Sequence, residues 1–166
     1  MTTNPTSAAP RLLPEELLTL AGNHEHAELE RYRDLAFRFL AFSSAASRLM
    51  AALGIECEMR LSVLARAARR LGLEEPRTDG AVRIGAPVAG APGLITSQAM
   101  ARAALSRAMT EAAASQRLYT RLGRLGAGSS LGQEFTAFAR QKQTELAILR
   151  EHCLDGDTGK LARRSA

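Results

Sequence analysis

The chain has 166 residues, 46% apolar and 4% aromatic, with no Trp, two Cys and a formal charge of +5 at neutral pH. That length suits one domain with tails and a buried core, and a composition led by Ala, Leu and Arg favours helix and leaves strands little to build on. Every apolar run is interrupted by Arg, Ser or Glu well short of the roughly 20 residues a membrane span needs, so no membrane partner is expected.

Residues 1–13 carry Pro, Thr, Ser and Asn without periodicity, which predicts a disordered N-terminal segment. They show no basic stretch followed by an apolar one, so no secretory signal is expected. Pro14 suits the first turn of a helix, where a missing N–H costs nothing. From there Leu18, Ala21, Glu25, Glu28, Tyr32, Leu35, Phe39 and Phe42 recur in steps of three and four. This helical seam breaks at Ser43-Ser44. A second helix is predicted from Ser44 to Leu71, stopping at Gly72.

Residues 72–95 hold much of the Pro and Gly and read as a long connection. Thr96 or Ser97 can cap a third helix running to about Leu125. The break "GAGSS" follows. Ser130 and Gln133 have capping-box spacing and start a fourth helix that ends near His152. Residues 153–166 are polar, Gly-containing and basic, and are expected to form a flexible tail.

Four long helices joined by short, long and short connections predict an all-α, up-down-down-up bundle, with hairpins 14–71 and 96–152 and a crossover at 72–95. The segments "YRDLAFRFLAFSS" (32–44) and "YTRLGRLGAGSS" (119–130) repeat one pattern, as two related hairpins would.

Polar residues interrupt the apolar seams. Helix four runs Leu131, Phe135, Phe138, Lys142, Glu145, Leu149; helix three runs Ala104, Ala108, Glu111, Ser115, Leu118, Leu122. Helix two offers Leu49, Ala52, Glu56, Met59, Val63, with a competing seam through Met50, Leu53, Cys57, Leu64 and Leu71 that leaves Glu56 near its edge. A buried carboxylate costs several kcal/mol unless a metal, a cation or a hydrogen-bond network compensates it. The plainer expectation for any single Glu is a place at the bundle margin.

These residues resemble the rubrerythrin-type branch of the ferritin-like superfamily, in which each half of a four-helix bundle carries a Glu on its first helix and Glu-x-x-His on its second, around a di-iron centre. "AGNHEHAELERYRDLA" resembles the opening helix through Glu25, Glu28 and Tyr32, and "MTEAAASQRLYTRLG" resembles the third through Glu111 and Tyr119. Both second motifs depart from the family pattern. "GIECEM" offers Glu56 and Met59, and "ARQKQTEL" offers Lys142 and Glu145. The resemblance spans roughly residues 14–152.

Two readings of the centre follow. In one, Lys142 replaces a metal's charge in a polar cluster with Glu56, Glu111, Glu145, Tyr32 and Tyr119, and the bundle holds no cofactor and serves a structural or interaction role. In the other, Glu25, Glu28, Glu56, Glu111 and Glu145 hold iron or manganese for oxygen- or peroxide-type oxidoreduction. His24 lies one turn before Glu28 and could reach inward, although an exposed position is the simpler expectation. Cys57 and Cys153 are isolated and read as small core hydrophobes in a cytoplasmic chain, with no Cys-rich electron-transfer module.

Ferritin-like hydroxylases that act on tRNA, together with the net charge, suggest RNA binding or tRNA modification as a third reading. The arginines are spread along every helix rather than clustered with aromatics, so nucleic acid is not expected. A homodimer or another protein partner is. No nucleophile elbow, P-loop or zinc spacing occurs.

Overall fold

The computed structural model describes residues 12–75 and 93–163, with side chains described to Cys153. It contains four helices: α1 (Pro14–Phe39), α2 (Ser44–Arg70), α3 (Gln98–Leu125) and α4 (Ser130–Arg163), and no strand among the described residues. Residues 1–11 of the expected disordered segment, most of the 72–95 connection and the last three residues of the tail lie outside them.

The helix ends follow local chemistry. The Leu13 backbone N–H donates to the Glu16 carboxylate at 2.7 Å, at the start of α1. Ser43 caps α2 by accepting from the Ala46 N–H at 3.2 Å, and Ser97 caps α3 by accepting from the Met100 N–H at the same distance. α2 ends in a Schellman turn: Gly72 takes φ +67°, Leu73 N–H reaches Ala68 O at 3.0 Å, and Gly72 N–H reaches Arg69 O at 3.1 Å.

At the α3–α4 turn the cap is Ser129, one residue before the expected Ser130, with its Oγ accepting from Gly132 N–H at 3.1 Å. The two helices close so tightly here that a Cβ on Gly132 would overlap the Gly126 carbonyl. α4 also continues past the expected end near His152 to Arg163. Gly156 and Gly159 each weaken a helix by about 1 kcal/mol relative to Ala, but no proline follows Pro92 to stop it.

Buried apolar side chains form two clusters, one towards each end of the bundle. The first contains Leu29, Leu35 and Phe39 of α1, Met50 and Leu53 of α2, Leu105 and Ala108 of α3, and Leu146 and Leu149 of α4. The second contains Leu17 and Leu18 of α1, Leu64 and Ala67 of α2, Leu122 of α3, and Phe135 and Phe138 of α4. α1 and α4 therefore enter the second cluster first, while α2 and α3 run the opposite way. Leu73, just after α2, packs on the second cluster, and Ile95, just before α3, is buried in the first. Ile95 N–H also donates to Arg38 O at 3.0 Å, which fixes the approach to α3 at the far end of α1.

The expected seams of α1 and α4 face inward. Those of α2 and α3 are rotated. In α2 the competing seam wins: Met50, Leu53, Cys57, Arg60 and Leu64 are buried, while Glu56 and Met59 are exposed. That orientation buries Met50, Leu53 and Leu64, larger than the Ala52 of the alternative, and so removes more apolar surface from water. In α3, Ala108, Ala112, Ser115, Tyr119 and Leu122 face inward, and Glu111 is left half-buried at the margin.

Candidate functional site

Between the two apolar clusters every helix contributes a polar side chain to one mid-bundle layer. α1 supplies Glu25 and Glu28, α2 Arg60, α3 Ser115, and α4 Lys142 and Glu145, all buried. Tyr119, at the edge of the layer, completes it.

Lys142 is one of only two lysines in a chain that otherwise uses arginine for its cations, and it is fully buried. Its Nζ donates to Glu28 Oε2 and, at 3.2 Å, to Glu145 Oε2, and lies 3.9 Å from Glu25 Oε1. A compact ammonium with three donors suits a point surrounded by carboxylates better than the flat fork of arginine. Arg60 bridges from the other side, with Nε donating to Glu25 Oε2 at 2.9 Å and Nη1 to Glu145 Oε1 at 2.7 Å. Its Nη2 reaches Cys57 Sγ at 3.3 Å.

The remaining carboxylate oxygens are also occupied. Tyr119 OH donates to Glu25 Oε1 at 2.5 Å. Ser115 Oγ donates to Glu28 Oε1, and Arg31 Nη2 reaches the same oxygen at 2.7 Å. His24, a quarter exposed, places Nε2 2.9 Å from Ser115 Oγ and packs edge-on to the Tyr119 ring, with centroids 5.7 Å apart. The formal charges of Glu25, Glu28 and Glu145 are thus matched by Lys142, Arg60 and the half-buried Arg31.

The protonation preferences follow from this packing. Burial alone would raise the Glu28 pKa, but the charge and hydrogen bond of Lys142, with Ser115 and Arg31, outweigh it and hold the carboxyl at about 2. At Glu145 burial prevails over Lys142 and Arg60, and its pKa is raised. Burial would lower the Lys142 pKa, yet Glu25, Glu28 and Glu145 outweigh it and the ammonium is held more firmly than in water. Burial pushes the Cys57 thiol up to about 12, so it is no thiolate ligand or nucleophile. Burial also lowers the His24 pKa, against the pull of Glu28 and Glu25.

These shifts set an expected acid response. His24 and Glu28 both bind protons less readily folded than unfolded, so each contributes stability that is lost as pH falls below its unfolded value, 6.5 and 4.5 respectively. The raised pKa of Glu145 acts in the opposite sense and softens the lower part of the curve. Urea unfolding as a function of pH is expected to show stability falling from pH 6.5 towards 4, with His24→Asn removing only its share of the upper part, where His26, also lowered by burial, acts in the same sense.

Of the expected residues, Glu25, Glu28, Glu145, Lys142 and Tyr119 meet in one network. Glu56 and Glu111 do not. Glu56 is on the outer face of α2, and Glu111 makes only peripheral contacts, 3.8 Å from Arg31 Nη1 and 3.9 Å from Arg107 Nε. Lys142 therefore keeps the expected partner Glu145 and pairs with Glu28 in place of the expected Glu56 and Glu111. Tyr32 is buried beside this layer, but its hydroxyl has no hydrogen-bond partner among the described residues. The sequence reading missed Arg60 and Ser115 as members. Arg60 lies three residues after Cys57 and four before Leu64, so the period of the competing seam already contained it.

His24 and one oxygen each of Glu25 and Glu28 lie within 4.8 Å of one another, the one group among the described residues with ligand spacing. Glu28 is already saturated by Lys142, Ser115 and Arg31, and the protonated Lys142 stands beside Glu25 and Glu145. An ammonium at that point cannot coordinate and repels a divalent cation, so as arranged these residues do not fit a metal.

No helix among the described residues is long and apolar enough to cross a membrane. Comparison with protein-family models, with curated proteins and with solved structures returns no match.

Proposed function

We propose that the chain is a ferritin-like bundle in which Lys142 and Arg60 stand where relatives of that type hold a di-metal centre, and that it serves a structural or interaction role in the cytoplasm. The observation that carries this reading is the placement of Lys142 Nζ against Glu28 and Glu145 and within 3.9 Å of Glu25. Cys57-x-x-Arg60 on α2 and Lys142-x-x-Glu145 on α4 occupy mid-helix positions facing one another, through the 2.7 Å Arg60–Glu145 pair. The family pattern would put Glu-x-x-His at both. The opposed directions of the two hairpins, and the burial of Leu73 and Ile95 at opposite ends, agree with a crossover that returns along the bundle.

The second reading, an iron or manganese oxidoreductase, draws on the His24, Glu25 and Glu28 group. It requires Lys142 to leave the site or lose its proton. Peroxide turnover by the purified chain, assayed with added ferrous or manganous ion, separates the two. The salt-bridge reading predicts the rate of the free ion alone. Turnover above that rate and abolished by Glu28→Ala would establish the oxidoreductase.

A further inference from the structure

We propose that the outer α2–α4 face around Met59 is a self-complementary interface on which a second copy of this chain docks end for end. The proposal rests on the exposed side of α2 and is independent of how the buried core is read. Ile55 and Met59 are each 57% exposed on consecutive turns of α2. Ile148 is 40% exposed on α4, two turns beyond Gln141, which lines the same groove as Met59. Ile55 lies beyond Glu56, while Met59 and the partly buried Val63 give the stretch between Glu56 and Arg66 an apolar centre.

Its charges are arranged about that middle. Glu56 and Arg66 line the groove on either side of Met59 and Val63, and neither makes an ion pair within the chain among the described residues. They are ten residues apart on one helix, about 15 Å along its axis. A second copy turned end for end about a two-fold axis near the level of Leu61 brings each Glu56 level with Arg66 of the other copy. The same rotation sets Met59 level with Val63. One attractive pair thus occurs twice around an apolar centre, the condition for an isologous contact.

A second copy fits this face better than an unrelated partner, because opposite charges placed on either side of one apolar point complement their own rotated image. Arg60 and Phe138 form the floor of the groove.

The test is sedimentation equilibrium of the full chain over a wide concentration range, for wild type, Glu56→Arg, Arg66→Glu and the combined Glu56→Arg/Arg66→Glu. The wild type is expected to form dimers. Either single reversal places like charges opposite each other twice and is expected to weaken the dimer at least about tenfold, with the combined variant returning close to wild type. Both substituted positions are exposed, and matched melting curves would verify the fold. A wild type that stays monomeric, a dimer indifferent to the single reversals, or one weakened by both and not restored in combination would each overturn the proposal.

Discussion

Lys142→Met is expected to destabilise the fold by about 3–5 kcal/mol, the cost of removing one partner from a buried charge network. The change preserves most of the apolar stem, so its effect comes from the charge. Without the ammonium, Glu28 loses its principal counterion, and Glu145 retains Arg60 alone against an already dominant cost of burial. In a domain of this size the expected melting temperature falls by roughly 10 °C.

The variant also carries a distinctive pH signature. Its buried carboxylates would have raised pKa values, so they favour folding when protonated and oppose it as pH rises. Wild-type stability falls on acidification; the gap between wild type and Lys142→Met should therefore narrow between pH 7 and 5. A loss near that of an ordinary surface lysine, below about 1 kcal/mol, would mean the ammonium is not buried among the carboxylates.

The second large effect is a gain. Arg60→His/Lys142→Glu removes both deeply buried cations and adds a carboxylate and an imidazole to Glu25, Glu28, Glu145 and His24. The resulting donor set has excess negative charge and the mixed oxygen and nitrogen chemistry that suits manganese or ferrous iron. Without metal the variant is expected to be strongly destabilised, because nothing offsets the buried carboxylates. Manganese added at about 100 times its dissociation constant would restore roughly 2.7 kcal/mol, read as a concentration-dependent rise in melting temperature. Wild type should show no such rise.

How much of this was legible in the sequence depended on the helix. In α1 one seam runs through Leu18, Tyr32, Leu35 and Phe39, and in α4 one runs through Leu131, Phe135, Phe138 and Leu149; Glu25, Glu28, Lys142 and Glu145 lie on these seams, so period alone placed them inside. α2 offers two seams that differ by one residue, a rotation of about 100°. The choice turned on Met50, Leu53 and Leu64 against Leu49, Ala52 and Val63. The winning seam carries Arg60, which a hydrophobicity pattern counts against burial, and its partners Glu25 and Glu145 lie on other helices.

α3 is rich in alanine, which can face either way with little difference in buried area. Period therefore could not distinguish Glu111 from Ala112 as the inward residue. Resemblance to an iron-binding pattern directed attention to Glu56 and Met59, which hold the expected spacing on the wrong face. Ser115 was on the expected seam; its role as a donor to Glu28 required the height of α3 against α1, which helix periodicity does not encode.

The central claim is that two protein cations, Lys142 and Arg60, perform the charge compensation of the buried carboxylates that a metal centre would otherwise supply. The most direct measurement is the metal content of wild type and Arg60→His/Lys142→Glu, purified side by side from cells supplied with iron and manganese. The account predicts trace metal in wild type and stoichiometric metal in the variant, lost again on adding Glu28→Ala. Stoichiometric iron or manganese in wild type, abolished by Glu28→Ala, would contradict it.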